Sequence, residues 1–374
     1  MANKIRFGII GAGSIARFSH IPAIDKLQGA ELVAICRRNK EKADELGKTI
    51  GVKEIYYDYE DLLKSKNIDA VIIASPNVFH KDHATAAAEA GKHVLCEKPI
   101  AINLKDAREI IEVCKKNKVK LQVGFNQRYW NQVKIAKDLL DEGCIGDVKS
   151  FYTTYREKWD LYQADTNFRD DINQSGGACL IDMGIHRIDM IRFFMGEISD
   201  VFAEINHSVM PTRLDDNNWL LLKSNKGAIG SLSCDKYTPP VVNETALYGT
   251  RGTMYLSTEI FNPFQPVPLA IYVEEFTREI PEIIENYVYP TKWEDFWKDK
   301  PAEKTWIPIT PQKVDPYLAQ IKDFCECIIE DRNPSVTGED GIRSLEIVLA
   351  AYKSSKEKRW VSLPLEEEVV GYPL

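Results

Sequence analysis

Residues Gly11-Ala12-Gly13-Ser14-Ile15-Ala16 follow the mostly apolar run Ile5–Ile10 and open a stretch of helical periodicity. In a G-x-G-x-x-A turn placed this way, the first glycine permits a tight turn and the second lets the backbone approach a pyrophosphate. The alanine allows close contact between helix and sheet. The helix start adds N–H donors and the positive end of its dipole, both suited to an anion. Gly11, Gly13, Ser14 and Ile15 are therefore expected to hold a dinucleotide diphosphate. An acid about 20 residues further on would accept from the adenosine ribose and repel a 2′-phosphate. Here Arg37-Arg38 stand in that region, with no carboxylate before Glu41. Two guanidiniums suit a phosphate by charge and by fork geometry, so the cofactor is expected to be NAD(P), leaning to NADP. The competing reading has Arg38 stacked on the adenine, with NAD accepted.

Two further segments carry reactive types: Ser75-Pro76-Asn77-Val78-Phe79-His80 and Glu97-Lys98-Pro99. Ser75, Pro76, Asn77, His80 and Glu97 are expected beside the cofactor. Lys98, held by the proline after it, could polarise a substrate oxygen. The pair His80 and His83 reads as a helix start with one cofactor contact rather than as zinc ligands, and no metal is expected.

These segments need a scaffold that brings them together. Strand-like runs appear at Ile5–Ile10, Glu31–Cys36, Ala70–Ala74, His93–Cys96 and Leu121–Val123, with helical patterns at Ser14–Leu27, Lys40–Thr49, His80–Ala90 and Leu104–Asn117. Apolar strands alternating with helices of that length imply a parallel sheet covered on both faces. Such sheets bind ligands beyond the carboxyl ends of their strands, which is where the Gly11, Arg37, Ser75 and Lys98 segments fall.

The whole chain, 374 residues with a net charge of −8, suggests two domains and disfavours a nucleic-acid binder, which needs a basic face. No apolar stretch approaches the roughly 20 residues of a membrane span, and the first residues read as a strand, not a secretion signal. Eight cysteines lie scattered without a C-x-x-C pair, which fits a reducing cytoplasm.

The stretches Gly11–Ala16, His20-Ile-Pro-Ala23, Ser75-Pro-Asn77-x-x-His80, Ala90–Pro99, Gly124-Phe-Asn-Gln-Arg128 and Gly176-Gly177-x-x-x-x-Asp182-x-Gly184-x-His186-x-x-Asp189 together resemble the Gfo/Idh/MocA oxidoreductases. The resemblance runs from Lys4 to about Val361. It implies an N-terminal Rossmann domain, assigned to 1–124, and a C-terminal α/β domain with a large open, mainly antiparallel sheet, assigned to 125–374. That sheet is often used for subunit packing, so a homo-oligomer is implied. The family's catalytic lysine, aspartate and histidine map onto Lys98, Asp182 and His186. The chemistry of those residue types is consistent with such roles. Asp182 and His186 are four apart, hence on one face if helical, where the carboxylate could fix the imidazole's tautomer. His186 suits a general base, and Lys98 suits stabilisation of a developing alkoxide. Asp182 would orient substrate hydroxyls or Lys98.

The implied reaction is hydride transfer between nicotinamide and a secondary hydroxyl or ketone of a sugar, a glycoside (for example at the C3 hydroxyl of a glucoside) or an inositol. A redox-assisted glycosidase on the same fold and a non-catalytic nucleotide-binding regulator are the alternatives. At the start of the second domain, Tyr152–Trp159 alternates with period two, placing Tyr155 and Glu157 on one face and Arg156 and Lys158 on the other. Tyr155, Arg156, Trp159 and Asn173 are the substrate candidates. Residues 261–306 form an aromatic, proline-rich insertion, expected to pack across a subunit or cover the site, with six prolines interrupting any regular element.

Overall fold

The computed structural model describes residues 4–158, 166–239, 242–257, 267–274, 304–369 and 371–372. Six strands form the first sheet: β1 (Ile5–Ile10), β2 (Ala30–Cys36), β3 (Glu54–Tyr56), β4 (Ala70–Ile73), β5 (His93–Cys96) and β6 (Leu121–Val123). Their order is β3-β2-β1-β4-β5-β6, and every pairing is parallel. The order reverses between β1 and β4, which opens a crevice at their carboxyl ends. This is a Rossmann-type sheet with helices on both faces.

Two elements here lie outside the sequence expectation: β3 and the helix Tyr59–Leu63. Both are too short to display a period. The helix expected over 14–27 is also interrupted. Ala16–His20 is a π turn, and the N–H of Ile21 donates to the carbonyl of Ala16, five residues back, before the α-helix Ile21–Lys26 begins. Pro22 falls in the first turn of that helix, where a missing N–H costs nothing.

The second sheet has nine strands: β7 (Val148–Arg156), β8 (Ile198–Asn206), β9 (Asn217–Ser224), β10 (Ile229–Asp235), β11 (Val242–Gly249), β12 (Gly252–Ser257), β13 (Leu269–Val273), β14 (Thr305–Ile309) and β15 (Val361–Ser362). Their order is β14-β13-β12-β11-β7-β10-β9-β8-β15, and only β7 and β10 run parallel. One face packs on the helix Ile185–Met195. The other leaves Trp219, Leu221, Ile229, Tyr248, Tyr255 and Trp306 exposed. In β9 burial alternates strictly along the strand, as a sheet with one covered face requires.

Most of the 261–306 insertion lies outside the described residues. The part that is described corrects the expectation of irregular chain. β13 starts just after Pro268 and pairs antiparallel with β14, from Leu269↔Ile309 to Val273↔Thr305. Pro308 is tolerated because β14 is the edge strand.

The C-terminal helices tie the sheets together. Pro316–Ile329 places Ile321, Phe324, Cys325 and Cys327 in one core with Ile5, Phe7 and Ile9 of β1. Gly338–Glu357 packs against β6 and β8, and against the helices Leu104–Lys116 and Ile185–Met195. Its first turn is fixed by a capping box between Thr337 and Asp340, and Asp340 joins the buried pair Arg128–Asp189. The crevice between the sheets therefore has walls held by buried helices. No helix among the described residues is long and apolar enough to cross a membrane.

Candidate active site

Gly11 has φ +86° and sits where a Cβ would lie 2.5 Å from the backbone nitrogen of Ser75. Only glycine lets the loop after β1 approach the loop after β4 this closely. The N–H groups of Gly11 and Ala12 both donate to the Cys36 carbonyl, which pins the turn to the end of β2. Ser14 and Ile15 then begin the helical stretch, so their N–H groups stand at its start, where an anion can be held. Arg37 Nη1 donates to the Ala12 carbonyl at 3.2 Å, and the Arg38 guanidinium lies 5.0 Å from the Phe79 ring centre. Both arginines thus border the crevice beside the glycine turn. The tight glycine turn, the helix start and the two guanidiniums fit a dinucleotide.

The loops after β4 and β5 are fastened from within. His80 is fully buried, its Nδ1 2.8 Å from the Pro99 carbonyl and its Nε2 2.9 Å from the Ser75 carbonyl. Glu97 accepts at Oε1 from His20, at 2.7 Å, and at Oε2 from the backbone N–H of Lys98. Burial alone would raise the Glu97 pKa, but His20 and Lys98 hold it below the usual range. Asn77 Nδ2 donates to the Ser175 carbonyl, reaching across to the other wall. Through these bonds His80, Glu97 and Asn77 position the loops that Ser75, Pro76 and Lys98 belong to.

Opposite them, Asp182 lies in a second π turn, Leu180–Gly184, which runs straight into the helix Ile185–Met195. Asp215 fixes the start of this segment by accepting from the N–H groups of Ala178 and Leu180, each at 2.7 Å. Gly177 is required next to it, because a Cβ there would lie 2.2 Å from the Tyr352 hydroxyl. Asp182 Oδ1 accepts from Lys98 Nζ at 2.8 Å, and Oδ2 accepts from Lys236 Nζ at 2.9 Å. Arg169 Nε lies 3.3 Å from Oδ2. Lys98 Nζ also donates to the Asp182 backbone carbonyl at 2.7 Å. Lys236, Lys98 and Arg169 hold the Asp182 carboxyl well below the usual carboxylate range despite its desolvation.

His186 lies beside this cluster, between Phe125 (ring centres 6.0 Å apart) and Tyr155 (6.4 Å). Its pKa is held well below the imidazole range, first by burial and then by Lys98 and Arg187, so the ring is neutral. No hydrogen bond joins it to Asp182 among the described residues, and its Nδ1 has no partner there. The predicted carboxylate–imidazole pair is not formed. A π turn stacks residues five apart rather than four, and the two lysines take the carboxylate oxygens instead.

Of the substrate candidates, Tyr155 faces His186 and lies 5.2 Å over the fully buried Arg187 guanidinium. Arg156 lies on the opposite face of β7, paired with Asp235 and Ser233 and 5.6 Å from the exposed Trp219 ring. Asn173 is exposed and bonded to Asp171 in a helix's first turn. Trp159 lies outside the described residues. Sequence reasoning missed Lys236, Arg169 and the role of Glu157. Lys236 follows a strand end, as Lys98 does, and that parallel was the available signal. Glu157, on the Tyr155 face, is buried; desolvation and Asp182 push its carboxyl up to about 7, and its Oε2 has no partner. Among the described residues, no group of three or more His, Cys, Asp or Glu is arranged to hold a metal ion.

Residues 5–125 match the Gfo/Idh/MocA oxidoreductase family, NAD-binding Rossmann fold, and residues 133–255 match a Gfo/Idh/MocA C-terminal domain. The chain is 30% identical over 373 residues to myo-inositol 2-dehydrogenase of Thermotoga maritima, covering 98% of this chain and 100% of that one. It is 25% identical to the NADP(+) D-xylose 1-dehydrogenase of Haloarcula marismortui, covering 96% and 94%. A solved levoglucosan dehydrogenase in complex with NADH shares the fold, with a TM-score of 0.80 at 23% identity over 97% of this chain and 100% of that one.

Proposed function

The chain belongs to the Gfo/Idh/MocA oxidoreductases, and on that premise we propose how it moves a hydride between a nicotinamide dinucleotide and a secondary hydroxyl or ketone of a sugar, glycoside or cyclitol. The observation that carries the reading is the convergence of Lys98, Asp182 and His186, from two different sheets, beside the glycine turn. The bound dinucleotide would supply the hydride acceptor. Lys98, steered by Asp182, donates to the substrate oxygen and stabilises the negative charge that grows there as the hydride leaves. His186, neutral and with a free ring nitrogen, takes the hydroxyl proton. Asp182 stays ionised and keeps the Lys98 ammonium aimed.

Gly11, Gly13, Ser14 and Ile15 hold the diphosphate, and Arg37 and Arg38 favour NADP by meeting a 2′-phosphate. The exposed aromatic face of the second sheet pairs with a second copy of the chain, giving a homo-oligomer. Eight cysteines, none bonded to another, suit a reducing cytoplasm. The test is to incubate the protein with polyols, sugars and glycosides and either oxidised dinucleotide, following reduced nicotinamide absorbance and product mass. Formation of a ketone supports the reading. Inertness of every compound with both cofactors, by both readouts, overturns it.

A further inference from the structure

The cations Lys98, Lys236 and Arg169 converge on the single carboxylate Asp182. Lys236 is 6% exposed, so it is not left to solvent. Other carboxyls lie near. Glu97 accepts from His20 and from the Lys98 backbone N–H. Asp215 is fully buried and turned to the backbone N–H groups of Ala178 and Leu180. Glu157 is buried, and desolvation and Asp182 push its carboxyl up to about 7. Asp235, further along the sheet, is already matched by Arg156. Charges taken out of water need partners of opposite sign, and at Asp182 three cations share one carboxylate.

One of the three faces the crevice. Arg169, in the turn Phe168–Asp170, touches Asp182 only through Nε, and its side chain is 39% exposed at the crevice. Its Nη1 and Nη2 donate to no group among the described residues. A guanidinium anchored at Nε by a carboxylate presents its remaining donors as a fork, the geometry that carboxylate and phosphate oxygens accept. A neutral sugar would leave that fork without an anionic partner.

We infer that the substrate carries an anionic group, a carboxylate or a phosphate, seated on Arg169 with Lys236 behind it, while its reacting hydroxyl lies at Lys98 and His186. This rests on the hydride-transfer reading for the reacting end but not for the anion. Binding is therefore measured apart from turnover. The enzyme saturated with reduced dinucleotide is titrated calorimetrically with glucose, glucuronate, glucose 6-phosphate, myo-inositol and an inositol monophosphate.

At least one acidic member should bind tenfold or more tightly than its neutral counterpart. That advantage should shrink as salt is raised and fall at least fivefold in Arg169→Gln. The glucuronate and phosphate arms distinguish carboxylate from phosphate. Neutral compounds binding as well as the acids, no acid binding at all, or an advantage untouched by Arg169→Gln each overturn the inference. Acids that bind through Arg169 while no compound is oxidised would sink the hydride-transfer reading and leave the anion site standing.

Discussion

The ammonium of Lys98 lies 2.8 Å from Oδ1 of Asp182, although 84 positions separate the two residues in the chain. Lys98 follows β5 of the first sheet, and Asp182 sits in the π turn packed on the second, so this contact closes the crevice floor. It also ties the cation that faces the substrate oxygen to the carboxylate that aims it.

Removing that cation should slow the chemical step more than binding. Lys98→Ala is expected to lower kcat by about 10²–10³, the usual cost of losing one donor to a developing oxyanion. Steady-state kinetics on whichever substrate is found will check this. An unchanged kcat would remove Lys98 from the reaction.

Lys236 acts on the same carboxylate from the other side. Lys236→Met leaves Asp182 Oδ2 with only Arg169, at 3.3 Å. With one hydrogen-bond partner of the buried carboxylate gone and two cations kept, stability should fall by about 1–3 kcal/mol in urea titration. Turnover should fall with it, because Asp182 becomes free to swing away from Lys98.

Glu157 sets a pH dependence of known sign. Its folded pKa, about 7, lies above the ordinary 4.5, so between those values the folded chain holds a proton that the unfolded chain has released. Stability from this group is therefore full below about pH 4.5 and declines as pH rises to about 7, by about 3 kcal/mol. Glu157→Gln removes the penalty. The melting temperature of the variant relative to the parent should rise from pH 5 to pH 8, and a flat difference would refute the assignment.

Arg37→Ala and Arg38→Ala test the cofactor reading. Each should raise the Kd for NADP more than that for NAD, and the double substitution should shift the ratio by tenfold or more, measured by quenching of tryptophan fluorescence. Arg38→Ala also removes the contact with Phe79, so its effect should extend to NAD as well.

The open sheet face predicts an assembly. Trp219 is 50% exposed and Ile229 53%, on a face with Leu221, Tyr248, Tyr255 and Trp306. Trp219→Asp with Ile229→Glu should convert an oligomer to monomer in sedimentation velocity. A parent chain that already sediments as a monomer would contradict the proposed pairing.

Much of the first sheet was legible in the sequence because its strands are short apolar runs and its helices have clear periods. The glycine turn was legible for the same local reason: position 11 needs a conformation that glycine alone adopts easily, and the strand before it and helix after it are adjacent in sequence. The alternation along β7 likewise put Tyr155 and Arg156 on opposite faces, and the fold turned the Tyr155 face to His186.

What the tertiary structure decided was which polar groups meet. His20 with Glu97, His80 between the Ser75 and Pro99 carbonyls, and Asn77 with the Ser175 carbonyl are contacts between segments far apart in the chain. No periodicity encodes them, and through them three residues expected at the cofactor also fasten these loops together. The Asp182–His186 spacing promised a pair that a π turn and the arrival of Lys236 replaced with a lysine-bridged carboxylate. Local sequence fixes backbone shape through short-range sterics and burial. Partnership among charges depends on which strand ends the sheet order places side by side, and only the folded chain sets that.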